Sequence, residues 1–193
     1  MDDRRSNPEP EPLYAGLRMT AAEYEQLPDD GFRYEVIDGV VVMAPSPSAD
    51  HQGVAGEIER QLQNYLIEHP IGRVFHEMDV RFDKKLVYQP DLIFVSKKRL
   101  PKRTARIHVI PEMVLEVHSP GTQTRDQTMK RGDYERYGVQ EYWMADVRRR
   151  TLTFLRLGAD GYMVAPARGG KFASKAVPGF TLDIAAVKRV MRD

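Results

Sequence analysis

Val87-Tyr-Gln-Pro-Asp-Leu-Ile-Phe-Val95, followed by Pro111-Glu-Met-Val-Leu-Glu-Val-His118, decides how this chain is read. Both runs are β-prone, and successive side chains of a strand point to opposite faces. In the second run Met113, Leu115 and Val117 share one face, while Glu112, Val114, Glu116 and His118 share the other. Glu116 therefore sits within an apolar strand that reads as central in a sheet. In the first run Asp91, Ile93 and Val95 share a face, so Asp91 heads a strand with an apolar interior. Pro90 places itself near the start of that strand or at an edge, because it has no N–H for the ladder. An ionised carboxylate buried in such strands costs several kcal/mol unless a cation or hydrogen-bond donors meet it. Two acids on neighbouring strands form a site for a hard cation such as Mg²⁺, which prefers oxygen ligands. The alternative is a pair of structural acids matched by Arg or Lys.

Outward from these strands the pattern is one of mixed α and β structure. Arg33-Tyr-Glu-Val-Ile-Asp-Gly-Val-Val-Val-Met43 predicts a hairpin, since Asp38-Gly39 suits a tight turn of positive φ. Thr20 and Glu23 form a capping box that opens a short helix. His51, Ala55, Ile58, Leu62 and Tyr65 recur at helical spacing and predict a helix over 50–68. Strands are expected at 73–76, 79–83, 87–95, 112–118, 141–146 and 150–157. Helices are expected over 123–137, capped by Gly138, and near 183–191. Residues 1–16 are polar and proline-rich and read as a disordered tail. Residues 17–193 read as a single domain.

Three further residues carry alternatives. Asp126, Lys130, Tyr134 and Tyr137 line one stripe of the 123–137 helix, which turns Lys130 inward with the tyrosines. Lys130 either stabilises charge beside a metal-bound water or pairs with Asp126. Glu35 shares a face with Arg33 and Ile37, as a surface acid paired with Arg33 or as a third acid at the metal. His51 begins its helix on the apolar stripe, where it packs or caps, or supports the site.

Composition narrows the function classes. The 193 residues include no cysteine, which excludes disulfides, thiolate zinc sites and a cysteine nucleophile. No apolar run approaches the ~20 residues of a membrane span and there is no signal-peptide core, so a cytoplasmic setting is expected. Twenty-nine basic residues against 28 acidic ones give no overall charge signature. Residues 97–106 nevertheless hold six cations and no acid: Lys97, Lys98, Arg99, Lys102, Arg103 and Arg106. Arg148, Arg149 and Arg150 form a second cluster. Either run reads as a solvated surface, and the run 97–106 alternatively as a track for backbone phosphates.

Pro90-Asp91, then Glu116-Val117-His118, resembles the Pro-Asp…(Asp/Glu)-X-Lys pattern of the PD-(D/E)XK nuclease superfamily. Within it the chain is most similar to the Uma-type family of restriction-endonuclease-like proteins. The likeness is carried by Arg33-Tyr-Glu-Val-Ile-Asp-Gly39, Pro45-Ser-Pro…His51, Gln89-Pro-Asp-Leu92, Leu115-Glu-Val-His-Ser-Pro120 and Asp126…Lys130…Tyr134…Tyr137-Gly138…Glu141-Tyr-Trp143. It implies a restriction-endonuclease-like α/β fold, a central mixed β-sheet flanked by helices. It also implies Asp91 and Glu116 as ligands of Mg²⁺ or Mn²⁺, with Glu35 joining from the hairpin. His118 stands where the superfamily has lysine, and the resemblance moves that role to Lys130; His118 is left to orient a water or touch phosphate. The implied activity is metal-dependent hydrolysis of DNA by a homodimer, with Lys97, Lys98, Arg99, Lys102 and Arg103 on the DNA backbone. Two alternatives stand beside it. One is a catalytically inactive nuclease fold that binds nucleic acid or a partner; the other is a hydrolase of RNA or another phosphoester.

Overall fold

The structure, a computed structural model, describes residues 11–44, 46–101, 106–118 and 126–191. Helix α1 (Ala21–Tyr24) opens with the expected capping box: Thr20 N–H donates to Glu23 at 2.7 Å and Glu23 N–H returns to the Thr20 hydroxyl. Strands β1 (Tyr34–Ile37) and β2 (Val40–Met43) form the expected hairpin. Asp38 and Gly39 both take positive φ, 51° and 76°, the turn whose twist matches its flanking strands. Tyr14 and Gly16, which composition assigns to the tail, lie against this hairpin. The Gly16 N–H donates to Val41 O, and the Tyr14 ring meets Tyr34 edge-on at 5.7 Å.

Helix α2 (Ala49–Glu68) is followed by β3 (Gly72–His76), β4 (Val80–Asp83), β5 (Leu86–Tyr88) and β6 (Leu92–Ser96). The expectation of one strand over 87–95 is corrected here. Strand β5 joins a four-stranded sheet of order β2-β1-β5-β4, whereas β6 joins a six-stranded sheet. The chain changes sheet at Gln89-Pro90-Asp91, where Pro90 cannot donate to a ladder. That crossing sets Asp91 at the mouth between the two sheets.

The six-stranded sheet has the order β10-β9-β8-β7-β6-β3. It adds β7 (Met113–His118), β8 (Glu141–Asp146), β9 (Thr151–Gly158) and β10 (Gly161–Val164). Only β7 and β8 run parallel, so the sheet is mixed. Between them the chain passes through a π-helical turn (Asp126–Lys130) and helix α3 (Arg131–Tyr137), ended by Gly138 at φ 82°. A small hairpin, β11 (Lys171–Ala173) and β12 (Thr181–Asp183), precedes helix α4 (Ile184–Val190). Strands β10 to β12 are not anticipated by the sequence reading. Among the described residues no helix is long and apolar enough to cross a membrane.

All six residues of β7 are buried. Leu115 and Val117 pack with Val54, Ile58 and Leu62 of α2 on one side of the sheet. Val114 packs with Tyr88, Tyr134 and Tyr142 on the other. Helix α2 thus covers one face of the strand, and α3 with Tyr88 of β5 covers the other.

Glu141 at the head of β8 is fully buried and joins several elements. It accepts from Arg156 at 2.9 and 2.7 Å, Trp143 Nε1 at 3.2 Å, the Ser174 hydroxyl at 2.7 Å and Lys175 N–H at 2.9 Å. Glu141→Ala removes that acceptor from all of them and is expected to lower stability by about 3 kcal/mol in urea unfolding. A loss below ~1 kcal/mol would show that the network relaxes without it.

Candidate active site

Glu35, Asp91, Glu116 and Lys130 reach one end of the sheet from four different elements. Glu116 is 4% exposed and Lys130 only 3%. Lys130 closes the π-helical turn, a widening often found at functional positions, and its side chain runs inward across the Tyr88 ring, 5.1 Å from the centroid. Its Nζ lies 2.8 Å from Oε1 of Glu116 and 2.8 Å from Oε1 of Glu35. The pairing with Asp126 falls on a side chain outside the described part. Glu35 is 1% exposed, so the reading of it as a surface acid paired with Arg33 does not hold.

Donors hold each acid in place. The Tyr134 hydroxyl donates to Glu116 Oε1 at 2.6 Å, and the Gln89 N–H donates to Glu35 Oε1 at 3.2 Å. Burial, reinforced by the charge of Glu116, pushes the Tyr134 hydroxyl well above its ordinary range, so it stays a donor at neutral pH. Continued by one step beyond the Leu92–Leu115 pair, the register of β6 and β7 sets Asp91 opposite Glu116. Its Oδ2 accepts from the Val117 N–H at 2.6 Å and lies 3.1 Å from His51 Nε2. His51 is set by the start of α2, where its N–H donates to the Ser48 hydroxyl at 3.2 Å. His118 is buried at the end of β7 and lines a cleft with Arg131, Asp146, Arg149 and Thr151.

Several neighbours have partners that motif reading does not supply. Arg33 donates through Nε to Gln89 Oε1 at 2.6 Å and pairs through Nη1 with Glu77 at 3.1 Å. Glu77 holds φ 45°, a costly conformation for a residue other than glycine, and its N–H donates to Asp91 O at 3.1 Å. The signals in the sequence are the Arg33–Glu35 spacing of two and the placing of Gln89 just before Pro90-Asp91.

The basic run lies elsewhere. Lys97, Lys98 and Arg99 follow β6 at the end opposite Asp91, roughly 20 Å away along an extended strand. Arg99 pairs there with Glu112 at 3.7 Å. Lys102 and Arg103 lie outside the described residues.

Gln89 also reaches Asp79, donating from Nε2 to Oδ1 at 3.2 Å. Burial raises the pKa of Asp79, offset in part by the Arg106 guanidinium. A raised folded-state pKa favours folding fully below the unfolded value of ~4, and that contribution is lost as pH rises through the folded value. Wild-type stability is therefore expected to fall relative to Asp79→Asn as pH is raised from about 4. Parallel urea-midpoint profiles would remove Asp79 from that dependence.

The donor set of Asp91, Glu116 and Glu35 is all oxygen, the chemistry a hard divalent cation prefers. Among the described residues no three acidic or imidazole side chains converge as a ready-made cage. The ammonium of Lys130 bridges two of the acids instead.

Comparison with known proteins agrees with this architecture. The chain is similar to the crystal structure of a "putative nuclease belonging to DUF820" from Anabaena variabilis ATCC 29413. The TM-score is 0.78 at 19% identity, over 90% of this chain and 99% of that one. A second likeness, at TM-score 0.40 and 12% identity, covers 77% of this chain and 17% of the type IIG restriction endonuclease BpuSI. No curated protein matches the sequence. The first likeness shows the restriction-endonuclease-like fold. A family model described as "Uma2: Putative restriction endonuclease" matches residues 21–185. The chain belongs to the Uma2 family.

Proposed function

We propose that this protein is a Mg²⁺- or Mn²⁺-dependent endonuclease that hydrolyses DNA phosphodiester bonds at the Asp91–Glu116–Lys130 site. One observation carries the reading: a buried lysine is held between two buried carboxylates, with a third acid just before the adjoining strand. Buried charges on this scale are costly to assemble, and titratable clusters of this kind concentrate at functional sites. Asp91 and Glu116, with support from Glu35, would hold the cation. A divalent ion bound there supplies a more acidic water and offsets phosphate charge.

The chain's own groups account for the rest. Lys130 presents an ammonium, held at a fixed place, to the negative charge that grows on the phosphate oxygens. Tyr134 fixes the rotamer of Glu116, and the Val117 N–H and His51 fix that of Asp91. Arg33, turned toward Gln89 and Glu77, is positioned to hold a phosphate through the free edge of its guanidinium. The distant basic turn at Lys97–Arg99 would add contacts to backbone phosphates farther along the DNA, where affinity falls with salt. A homodimer would bring two such sites to the two strands.

A second reading, a nuclease fold that binds nucleic acid or a partner without cutting, is favoured by the absence of a ready-made ligand cage among the described residues. Incubation of supercoiled plasmid with the purified protein separates the two. Nicking with Mg²⁺ or Mn²⁺ and none in EDTA is expected. An intact plasmid under every metal condition, with DNA still bound, would favour the second reading.

A further inference from the structure

Gln89 joins the candidate active site to a second cavity. Its main-chain N–H holds Glu35, while its side chain lines a pocket of about 300 Å³ together with Tyr14, Tyr24, Phe32, Asp79 and Arg106. We propose that this pocket takes one unpaired nucleobase bearing an exocyclic amino group, cytosine or adenine, from the strand whose phosphodiester lies at Lys130. This inference rests on the nuclease reading.

Size, walls and floor agree on such a ligand. A volume near the lower end of the ~300–1,000 Å³ of small-molecule sites admits one ring system and excludes a base pair. Tyr14 and Phe32 are half-buried rings, and aromatic faces stack any base without regard to its identity. Identity would come from the floor. Asp79 accepts from the Gln89 amide at 3.2 Å, is met by the Tyr24 hydroxyl, and has Arg106 Nε at 3.7 Å. A carboxylate has about four lone-pair sites, so it retains capacity for an amino group such as cytosine N4. The guanidinium beside it is a donor suited to the neighbouring ring acceptor. The other acids at the rim are turned to the protein: Asp30 accepts from the Tyr34 hydroxyl at 2.7 Å, and Asp29 from the Gly31 N–H at 2.9 Å. Asp79 is the lining acid with a guanidinium beside it, and the amino group is assigned to it.

A base stacked inside a duplex cannot enter. The substrate would present this nucleotide from a single strand or flip it out.

The test is fluorescence anisotropy in EDTA, so that no cutting occurs, using fluorescein-labelled single strands of equal length: oligo(dC), oligo(dT) and an abasic strand. Oligo(dC) is expected to bind about tenfold tighter than oligo(dT) or the abasic strand. Asp79→Asn should erase the preference for dC over dT. Phe32→Ala should weaken oligo(dC) by about tenfold while leaving the abasic strand unchanged. Equal binding of all three strands by the wild type, or an unchanged oligo(dC) affinity in Phe32→Ala, would overturn the pocket even if Asp79→Asn fails to fold. The outcome stands apart from that of plasmid nicking. Nicking without base preference sinks only the pocket; base preference without nicking keeps the pocket and sinks the nuclease reading.

Discussion

Asp91→Asn is expected to lower metal-dependent plasmid cleavage by about 10² to 10³-fold, the scale on which losing one charge-stabilising group at a reacting centre is felt. The substitution preserves shape. An asparagine oxygen still accepts from the Val117 N–H, which lies 2.6 Å from Asp91 Oδ2, so the join between β6 and β7 should survive. What disappears is a negative charge at the mouth between two sheets, opposite Glu116. A cation held by both acids loses one of its anionic partners, and the gain in melting temperature that Mn²⁺ is expected to give the wild type should then disappear in the variant. Near-identical far-UV spectra of the two proteins would confirm that only the site has changed. Cleavage at the wild-type rate by Asp91→Asn would trace the activity to a contaminating nuclease and remove Asp91 from the mechanism.

Some of this arrangement is legible in the chain and some is not, for physical reasons. The Arg33–Met43 hairpin follows from local turn chemistry at Asp38-Gly39, which needs no knowledge of the rest of the fold. The depth of Glu116 follows from its place in the apolar run Met113-Val-Leu-Glu-Val117, which reads as a central strand. By contrast, the split of 87–95 into two strands depends on which sheet receives each half. Apolar runs lie on both sides of Gln89-Pro90-Asp91, Leu86-Val87-Tyr88 before it and Leu92-Ile93-Phe94 after it, so the β-prone pattern alone runs straight through the break. Strands β10 to β12 are three or four residues long, and Met163 and Val164 are exposed, so hydrophobic pattern does not mark them. The contact between Lys130 and Glu35 joins residues 95 positions apart and no local pattern encodes it. Motif spacing brings Asp91, Glu116 and Lys130 forward as candidates. Only the tertiary packing shows that the lysine lies between two acids, and that Arg33, Glu77 and Gln89 surround the third.

That packing makes Lys130→Ala a test of stability as well as of chemistry. Removing one partner of a buried ion pair leaves an uncompensated charge and costs about 3 to 5 kcal/mol. Here the lysine serves two carboxylates, Glu35 and Glu116, each at 2.8 Å and each almost fully buried. For a chain of this length such a loss lowers the melting temperature by roughly 10 °C. If the two acids form part of a cation site, a divalent ion should replace some of what the ammonium provided. Mn²⁺ is therefore expected to raise the melting temperature of Lys130→Ala more than that of the wild type, because ligand binding to the folded state alone stabilises it by mass action. Cleavage should fall in the same variant even at temperatures where it remains folded, since the ammonium near the phosphate is gone. A loss of less than ~1 kcal/mol, with no extra gain from Mn²⁺, would mean that water already reaches the two acids and that they do not share a cation. A large loss that Mn²⁺ fails to reduce would instead assign the triad to structure, as a lysine retained to neutralise two buried acids.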